Sequence, residues 1–246
     1  MGIGVLDRLT SDAASHTGSR SENQDGWARW RRRGIGAVLA VADGLGGHSG
    51  GKQAAGAAMH AVIEAFRSPP DDPELAAVAA LTAASTSVAE ARLAAGNDMA
   101  TTLVVLVLMD GRAGWAWCGD SRLYRYRDGE IERLTDDHSA AMIRLPPEER
   151  ALADVRGDPS RNRLVSVLGG QDPMFGQCSD EWHRGDRFVL CSDGFWEGTN
   201  RNELAAALAA GRSAQDLLDL VLVKECDSQD NLTVLVAGCD WPRSSD

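Results

Sequence analysis

Six short apolar runs, none longer than nine residues, constrain the fold of this chain of 246 residues most strongly. The runs are rich in β-branched, aromatic and aliphatic residues, which is typical of strands buried in a sheet. Asp128-Gly129 directly follows the fourth run and indicates a hairpin turn. The predicted strands cover residues 37–42, 101–109, 114–118, 123–127, 187–191 and 232–237.

Alanine-rich segments with helical periodicity lie between and after these runs. The order is a strand, two long helices, then consecutive strands with hairpin signals. This order predicts an α+β fold rather than a regular alternation of strands and helices. Because no linker or internal repeat interrupts the chain, we expect a single domain over residues 1–246. The predicted helices cover residues 52–66, 73–95, 202–210 and 214–224.

The composition excludes several classes of function. The formal charge is −11, and such an acidic balance argues against nucleic acid as a partner. The five cysteines form no CxxC pair, so neither a zinc site nor a disulfide framework is indicated. The longest aliphatic run, 103–109, is far shorter than the roughly 20 residues of a membrane helix. No signal-peptide pattern opens the sequence, so we expect a cytoplasmic protein without a membrane partner.

A glycine-rich loop, residues 43–52, follows the first predicted strand and opens a helix. One interpretation is a phosphate-binding P-loop, because Gly46, Gly51 and Lys52 nearly match its spacing. The next residue is Gln53, however, so the hydroxyl that should bind magnesium is missing. A P-loop is therefore the weaker interpretation.

Two further interpretations of the same loop rest on other side chains. Ser49 lies in a GxSxG pattern, but four residues separate that pattern from the strand and no HGGG-type segment is present. Asp43 directly follows the strand, and Gly44 exposes its backbone carbonyl. Carboxylate and carbonyl oxygens are ligands that Mg²⁺ and Mn²⁺ prefer, so Asp43 indicates a metal site. A plain Asp-Gly turn is the structural alternative.

Four more aspartates stand in motifs that also suggest strand ends. Asp25 closes the segment 20–25, and Asp120 lies in a tight turn between two strands. Asp193 follows a strand and precedes a glycine, and Asp230 precedes the last strand. If these strand ends converge, the carboxylates form an all-oxygen pocket for two metal ions.

The five aspartate motifs, in this order and at these separations, resemble those of the PPM family of metal-dependent protein phosphatases (type 2C), in particular its bacterial members. The resemblance extends from about residue 18 to residue 236, and segments 99–102, 135–139 and 167–170 also match family landmarks. It implies a four-layer α-β-β-α sandwich in which two central, mainly antiparallel β-sheets are flanked by helix pairs. It also implies Mn²⁺ or Mg²⁺ as the cofactor, with two core ions and an optional third.

The resemblance assigns roles to the matching residues of this chain. It implies that Asp43 bridges the two core metals and that the Gly44 carbonyl adds a ligand. Asp193 and Asp230 would bind the first metal directly, whereas Asp25 would hold water molecules around the second. Asp120 would join Asp193 in holding the third ion.

Arg20 matches a phosphate-binding arginine of the family, and a planar guanidinium suits phosphate oxygens. With Arg20 and the metal ligands Asp43, Asp193 and Asp230 as the catalytic group, the implied reaction is hydrolysis of phosphoserine and phosphothreonine in proteins. The attacking water would lie between the two core metals. Residues 139–166 would form a flap beside the site. The implied substrates are phosphorylated proteins, those of a bacterial Ser/Thr kinase, and the expected state is a monomer.

The chain departs from the family pattern at two positions of this site. Leu45 stands where animal relatives carry a histidine, and His48 does not inherit that role. Gln24 replaces a glutamate that precedes the first aspartate in the family. The group that protonates the leaving oxygen is therefore unassigned. A pseudophosphatase, which keeps the fold but only binds phosphoproteins, is the alternative from another functional class.

Overall fold

Two five-stranded antiparallel sheets form the centre of the computed structural model, which describes residues 9–46, 50–224 and 228–239. The strands are β1 (Leu9–His16), β2 (Gly26–Arg32), β3 (Gly36–Ala42), β4 (Gly44–Leu45), β5 (Ala100–Thr101), β6 (Leu103–Met109), β7 (Arg112–Cys118), β8 (Arg122–Arg127), β9 (Glu130–Arg133), β10 (Gly176–Glu181), β11 (Arg187–Cys191) and β12 (Leu232–Cys239). The first sheet has the order β1-β12-β11-β8-β9, and the second has the order β10-β7-β6-β3-β2. Strands β4 and β5 form a separate two-stranded sheet.

Helices cover the outer face of each large sheet. The helices of the described residues are α1 (Gly50–Ala65), α2 (Pro73–Ala95), α3 (Ala140–Ile143), α4 (Pro147–Arg150), α5 (Asp193–Gly198), α6 (Arg201–Ala209) and α7 (Ala214–Leu222). Helices α1 and α2 pack on the second sheet, whereas α5, α6 and α7 pack on the first. The layers are therefore α-β-β-α, which confirms the fold expected from the resemblance.

Three apolar cores hold the layers together, and strand β3 shows how one strand serves two of them. All seven residues of β3 are buried. Because side chains alternate along a strand, Leu39 and Val41 face the other sheet while Val38 and Ala40 face the helices. A strand buried on both faces has a continuous apolar sequence, which is why this run is so clear in the chain.

Side-chain caps fix where the helices begin. Asp72 accepts hydrogen bonds from the backbone N–H groups of Glu74 and Leu75 at the start of α2. Asn200 and Ser213 form capping boxes at the starts of α6 and α7. Such caps satisfy backbone donors that have no partner within the helix.

The predicted elements agree with the structure except at a few boundaries. The run 101–109 is divided by Thr102, which lies between β5 and β6. Thr102 leaves the strand because its backbone N–H donates to the Asp43 carbonyl at 2.9 Å. The helix predicted over 214–224 ends at Leu222, where its last backbone groups are capped by Val223.

The segment 139–166, which we call the flap segment, has its own small apolar core. It contains α3 and α4, and Ala141, Met142 and Val155 are buried together. A bridge between Ser139 and Leu164 closes the segment at its base. Within the described residues, no helix is both long and apolar enough to span a membrane.

Candidate metal centre

The predicted site residues meet at one end of the sandwich, where strand ends of both sheets lie side by side. They line a pocket of about 440 Å³, which we call the acidic pocket. Asp25 lies behind it, directly before β2. The pocket wall contains Arg20, Asp43, Gly44, Asp120, Asp193 and Asp230.

Backbone hydrogen bonds fix Asp43 at the end of β3. Its N–H donates to the Thr102 hydroxyl at 2.9 Å, and its carbonyl accepts from the Thr101 hydroxyl at 2.8 Å. Gly44 lies against Gly51 so closely that a Cβ on Gly44 would stand 2.2 Å from the Gly51 carbonyl oxygen. Only glycine fits here, so the loop brings the start of α1 against the backbone next to Asp43.

Asp120 is held in the turn between β7 and β8 and is only 4% exposed. Its carbonyl accepts from the Trp196 indole N–H at 3.0 Å. The hydroxyl of Ser121 lies 2.7 Å from that of Thr102, which also binds Asp43. The Thr102 hydroxyl thus connects Asp43 with Ser121, the residue that follows Asp120.

Asp193 begins α5, two residues after β11 ends. Gly194 follows it, and a Cβ on Gly194 would stand 2.3 Å from the Asn231 carbonyl oxygen. The absence of that Cβ lets the start of α5 contact the backbone just before β12. Asp193 and Asp230 are brought into one pocket by this close approach.

A tight turn places Arg20 beside Asp230. The Ser19 N–H donates to the Gln229 carbonyl at 2.8 Å, and the Gln229 N–H donates to the Ser19 hydroxyl at 3.0 Å. The Arg20 guanidinium then donates to the Asp230 carboxylate at 2.6 Å. The side chains of Arg20 and Asp230 are 60% and 41% exposed, so both are reachable from solvent.

Asp25 reaches the site from the second sheet. Its carboxylate accepts from the Ser192 hydroxyl at 2.7 Å, and that hydroxyl in turn accepts from the Thr233 N–H at 2.9 Å. Ser192 directly precedes Asp193, so this contact links the two aspartates.

Burial, together with the charges of neighbouring carboxylates, raises the pKa values of four aspartates at this site. Burial raises the pKa of Asp43 and of Asp120 well above the ordinary value, and the charge of Asp193 is the next largest cause in both. Burial, followed by the charge of Asp230, raises the pKa of Asp193 to about 7. Burial likewise raises the pKa of Asp25 to about 6. The site is therefore short of positive charge.

The donor chemistry of the site fits a divalent cation. One carboxylate oxygen each of Asp25 and Asp193 is buried and lacks a hydrogen-bond partner among the described residues. Buried oxygens in this state call for a cation or water. No three described His, Cys, Asp or Glu side chains are placed to hold one ion between them. Backbone oxygen, such as that of Gly44, and water would therefore complete the coordination, which Mg²⁺ and Mn²⁺ accept.

The side chains of the other interpretations do not join this group. Lys52 pairs with Glu22 at 3.1 Å and does not line the pocket. Ser49 and His48 lie outside the described residues. No histidine of the described ranges lines the acidic pocket. The His138 imidazole contacts the neighbour of one predicted ligand, because its Nδ1 accepts from the N–H of Gly119, which precedes Asp120, at 3.3 Å.

Two supporting residues escaped the sequence interpretation. The Asn231 side chain accepts from the Gln24 N–H at 2.8 Å and donates to the carbonyls of Thr17 and Glu22. Ser192 joins Asp25 to β12, as described above. Both lie next to predicted ligands, so a polar residue beside a strand-end aspartate was the available signal.

Comparison with known proteins places the chain in a family. The family model described as "Protein phosphatase 2C" matches residues 13–219. The serine/threonine protein phosphatase PstP of Mycobacterium tuberculosis is 31% identical over 211 residues, which cover 81% of this chain. Those residues span 40% of the length of PstP. The serine/threonine phosphatase Stp of Listeria monocytogenes is 26% identical over 240 residues, which cover 90% of this chain and 92% of Stp.

A solved structure of a relative shares the fold and contains metal ions. The crystal structure of the catalytic domain of a serine/threonine protein phosphatase PstP, in complex with two manganese ions, matches with a TM-score of 0.78. The identity is 29%, over 94% of this chain and 97% of that domain. An α-β-β-α sandwich with a carboxylate-lined pocket at one end is the architecture that this chain shares with that phosphatase domain. The chain belongs to the protein phosphatase 2C family.

Proposed function

We propose that this chain hydrolyses phosphoserine and phosphothreonine in proteins, using two divalent metal ions. The observation that carries the proposal is the acidic pocket, where Asp43, Asp120, Asp193 and Asp230 lie together with Arg20. Family membership and the manganese ions of the PstP structure support it. Manganese and magnesium accept the same oxygen ligands, so either ion fits this site.

Each carboxylate has a proposed place in the centre. Asp43, Asp193 and Asp230 would bind the core ions, with Asp43 shared between them and the Gly44 carbonyl as an added ligand. Asp25 lies behind the pocket and would orient water molecules around the second ion. Asp120 would complete a third, weaker site. Two ions bound there would lower the pKa of a shared water and neutralise charge on the phosphoryl oxygens.

Arg20 would bind the substrate phosphate. Its present partner is Asp230, but ion pairs as exposed as this one are worth only about 0–1 kcal/mol. The guanidinium is therefore free to turn from Asp230 to a phosphoryl group, where it can donate two hydrogen bonds. Binding of a cation by Asp230 would favour the same exchange.

Two buried thiols, those of Cys118 and Cys191, are poor candidates for a covalent mechanism. Burial raises the pKa of Cys118 to about 11 and also raises the pKa of Cys191. Neither residue lines the acidic pocket. A buried, protonated thiol is not nucleophilic, which supports direct attack by water.

The flap segment would help to select the substrate. Asn162 and Leu164 from its end line the acidic pocket, so a bound phosphopeptide would contact them. Substrates that a Ser/Thr protein kinase phosphorylates are the proposed partners, by analogy with the relatives' names. A single domain over 1–246, a monomeric state and a cytoplasmic location stay predictions.

The test is hydrolysis of a phosphothreonine peptide by the full chain during a titration with Mn²⁺. We expect turnover that rises with Mn²⁺ and disappears in excess EDTA or in Asp193→Asn. Turnover that persists in EDTA would contradict the proposal. Metal-independent peptide binding without any turnover would instead favour a pseudophosphatase.

A further inference from the structure

A second pocket, of about 400 Å³, lies between the middle of the flap segment, residues 152–156, and the start of α6. Four guanidinium groups line it against one carboxylate, that of Asp154. This is an unusual concentration of positive charge for a chain whose formal charge is −11. We call it the basic pocket, and its arginines are Arg122, Arg133, Arg156 and Arg201.

Two of the four arginines are neutralised within the fold. Arg122 is bound to buried Asp137 by two hydrogen bonds, of 2.8 and 2.7 Å. Arg156 pairs with Asp154, with its Nε 2.8 Å from the carboxylate. The charge of the pocket therefore comes from Arg133 and Arg201.

Arg133 is a buried cation whose hydrogen bonds are incomplete. Its side chain is 2% exposed, and its nearest ion-pair partner, Asp136, is 3.6 Å away. The Arg133 Nε has no hydrogen-bond partner among the described residues. A buried, unpaired donor on a charged group is costly, and such groups in native folds usually face a water or an ion.

Arg201 is placed at the wall where α6 begins. Its guanidinium donates to the Ala151 carbonyl at 2.6 Å, and no carboxylate of the described residues pairs with it. Thr199, Asn200 and Asn202, around the first turn of α6, line the same pocket. The capping box satisfies the N–H groups of Asn200 and Glu203. The first turn of a helix still carries partial positive charge, which suits an anion.

The basic pocket is separate from the metal centre. The Trp196 ring lies between the two, because the Arg122 guanidinium stacks on it at 3.4 Å while its indole N–H donates to the Asp120 carbonyl. None of the predicted metal ligands lines the basic pocket. A ligand there would not be the substrate phosphate at the proposed metal centre.

We propose that the basic pocket binds a phosphate-class oxyanion, either free phosphate or a phosphoryl group on a peptide. Arg201 and the first turn of α6 would contact the anion, with Arg156 beside them and Arg133 supplying charge from beneath. Guanidinium groups pair with phosphate oxygens in a planar, two-point geometry, so the residue types fit this ligand.

The experiment measures phosphate binding by the full chain in EDTA, with no metal and no turnover, so it does not depend on the proposed phosphatase activity. Isothermal titration with inorganic phosphate gives affinity, and the Trp196 indole signal in a ¹⁵N spectrum reports position. The signal is assigned with Trp196→Phe. The variants are Arg201→Gln in the basic pocket, Arg20→Gln in the acidic pocket and Arg67→Gln at an exposed position just after α1.

We expect one phosphate to bind, to shift the Trp196 signal and to bind at least about tenfold more weakly to Arg201→Gln. Arg201→Lys should recover part of the loss, while Arg67→Gln should bind as the parent does. Circular dichroism would confirm that each variant is folded. A phosphothreonine peptide titrated in the same way identifies the source of the anion: it competes with phosphate if the site takes phosphorylated side chains. No binding at millimolar phosphate, equal binding to folded Arg201→Gln, or loss in Arg20→Gln would overturn the proposal.

Discussion

The acidic and basic pockets lie on either side of Trp196 and carry excess charge of opposite sign. In the acidic pocket, five carboxylates, those of four aspartates and Glu22, line the wall with one arginine, Arg20. In the basic pocket, four arginines share one lining carboxylate, Asp154. Each pocket holds more charge of one sign than its own residues neutralise. The excess sign indicates the missing ligand: a cation in the first and an oxyanion in the second.

The two pockets differ in how much of their charge is paired within the fold. Arg122 in the basic pocket has buried Asp137 as a two-point partner. In the acidic pocket, Asp43 and Asp193 have raised pKa values because burial and the charges of neighbouring carboxylates outweigh their hydrogen bonds. Substitutions should therefore impair function in the acidic pocket and stability in the basic one.

The largest effect is expected from Asp43→Asn. Because Asp43 is the proposed shared ligand, its loss should reduce metal-dependent peptide hydrolysis by roughly 10³-fold or more. Steady-state kinetics at saturating Mn²⁺ measure this. Asp71→Asn, at an exposed position before α2, is the matched control and should leave the rate unchanged. Comparable activity in Asp43→Asn would break the assignment of the acidic pocket.

The next effect concerns stability around the basic pocket. Asp137→Ala leaves the buried Arg122 guanidinium without its partner, and such a break costs about 3–5 kcal/mol. Urea unfolding at neutral pH gives the free energy. Asp180→Ala removes an exposed partner of Arg125 and should cost less than about 1 kcal/mol. Equal costs for the two variants would show that burial of the Arg122 pair does not matter.

In the acidic pocket we expect a smaller change in the free energy of unfolding, and one of opposite sign: a substitution there should stabilise the protein. The pKa of Asp193 is raised to about 7 in the folded state, so the metal-free protein loses stability as pH rises from about 4 through 7. Asparagine cannot ionise. In EDTA at pH 8 we therefore expect Asp193→Asn to be more stable than the parent by a few kcal/mol, a difference that vanishes near pH 4.

The control for this prediction is the metal itself. Saturating Mn²⁺ should stabilise the parent more than Asp193→Asn, because a ligand that binds only the folded state raises its stability. The free energy of unfolding is measured at each pH with and without the ion. A variant less stable than the parent in EDTA at pH 8 would contradict the electrostatic account.

The smallest effect is expected at Arg20. Replacement by alanine removes the proposed phosphate contact but no metal ligand, so KM for the phosphopeptide should rise about tenfold with a smaller change in kcat. Arg67→Ala, at an exposed position just after α1, is the matched control. An unchanged KM would remove Arg20 from the substrate site.

The sequence predicts the central strands well and the edge strands poorly. The six apolar runs correspond to β3, β6, β7, β8, β11 and β12, which all have neighbours on both sides. Strands β1, β2 and β10 escaped prediction, and β9 was indicated only by the hairpin turn. These four are the edges of the two sheets. Edge strands are half exposed and carry polar residues, as in β10 with its sequence GQCSDE, so they lack an apolar run.

The site was predictable in its residues but not in its supports. Strand-end aspartates are visible in the sequence, and the resemblance to a family assigned their roles. Contacts such as Ser192 to Asp25, across 167 positions, depend on how two sheets pack and leave no local pattern. The basic pocket is equally hidden, because Arg122 and Arg201 come from different layers.

Asp43, Asp193 and Asp230 are proposed to hold two neighbouring metal ions. Electron paramagnetic resonance of bound Mn²⁺ tests this proposal most directly. With two equivalents of Mn²⁺, the parent chain should give the spectrum of an exchange-coupled pair, because Asp43 is the proposed shared ligand of the two ions. Asp43→Asn should give only uncoupled Mn²⁺. A parent chain that binds no Mn²⁺, or a coupled spectrum that survives in Asp43→Asn, would contradict the account.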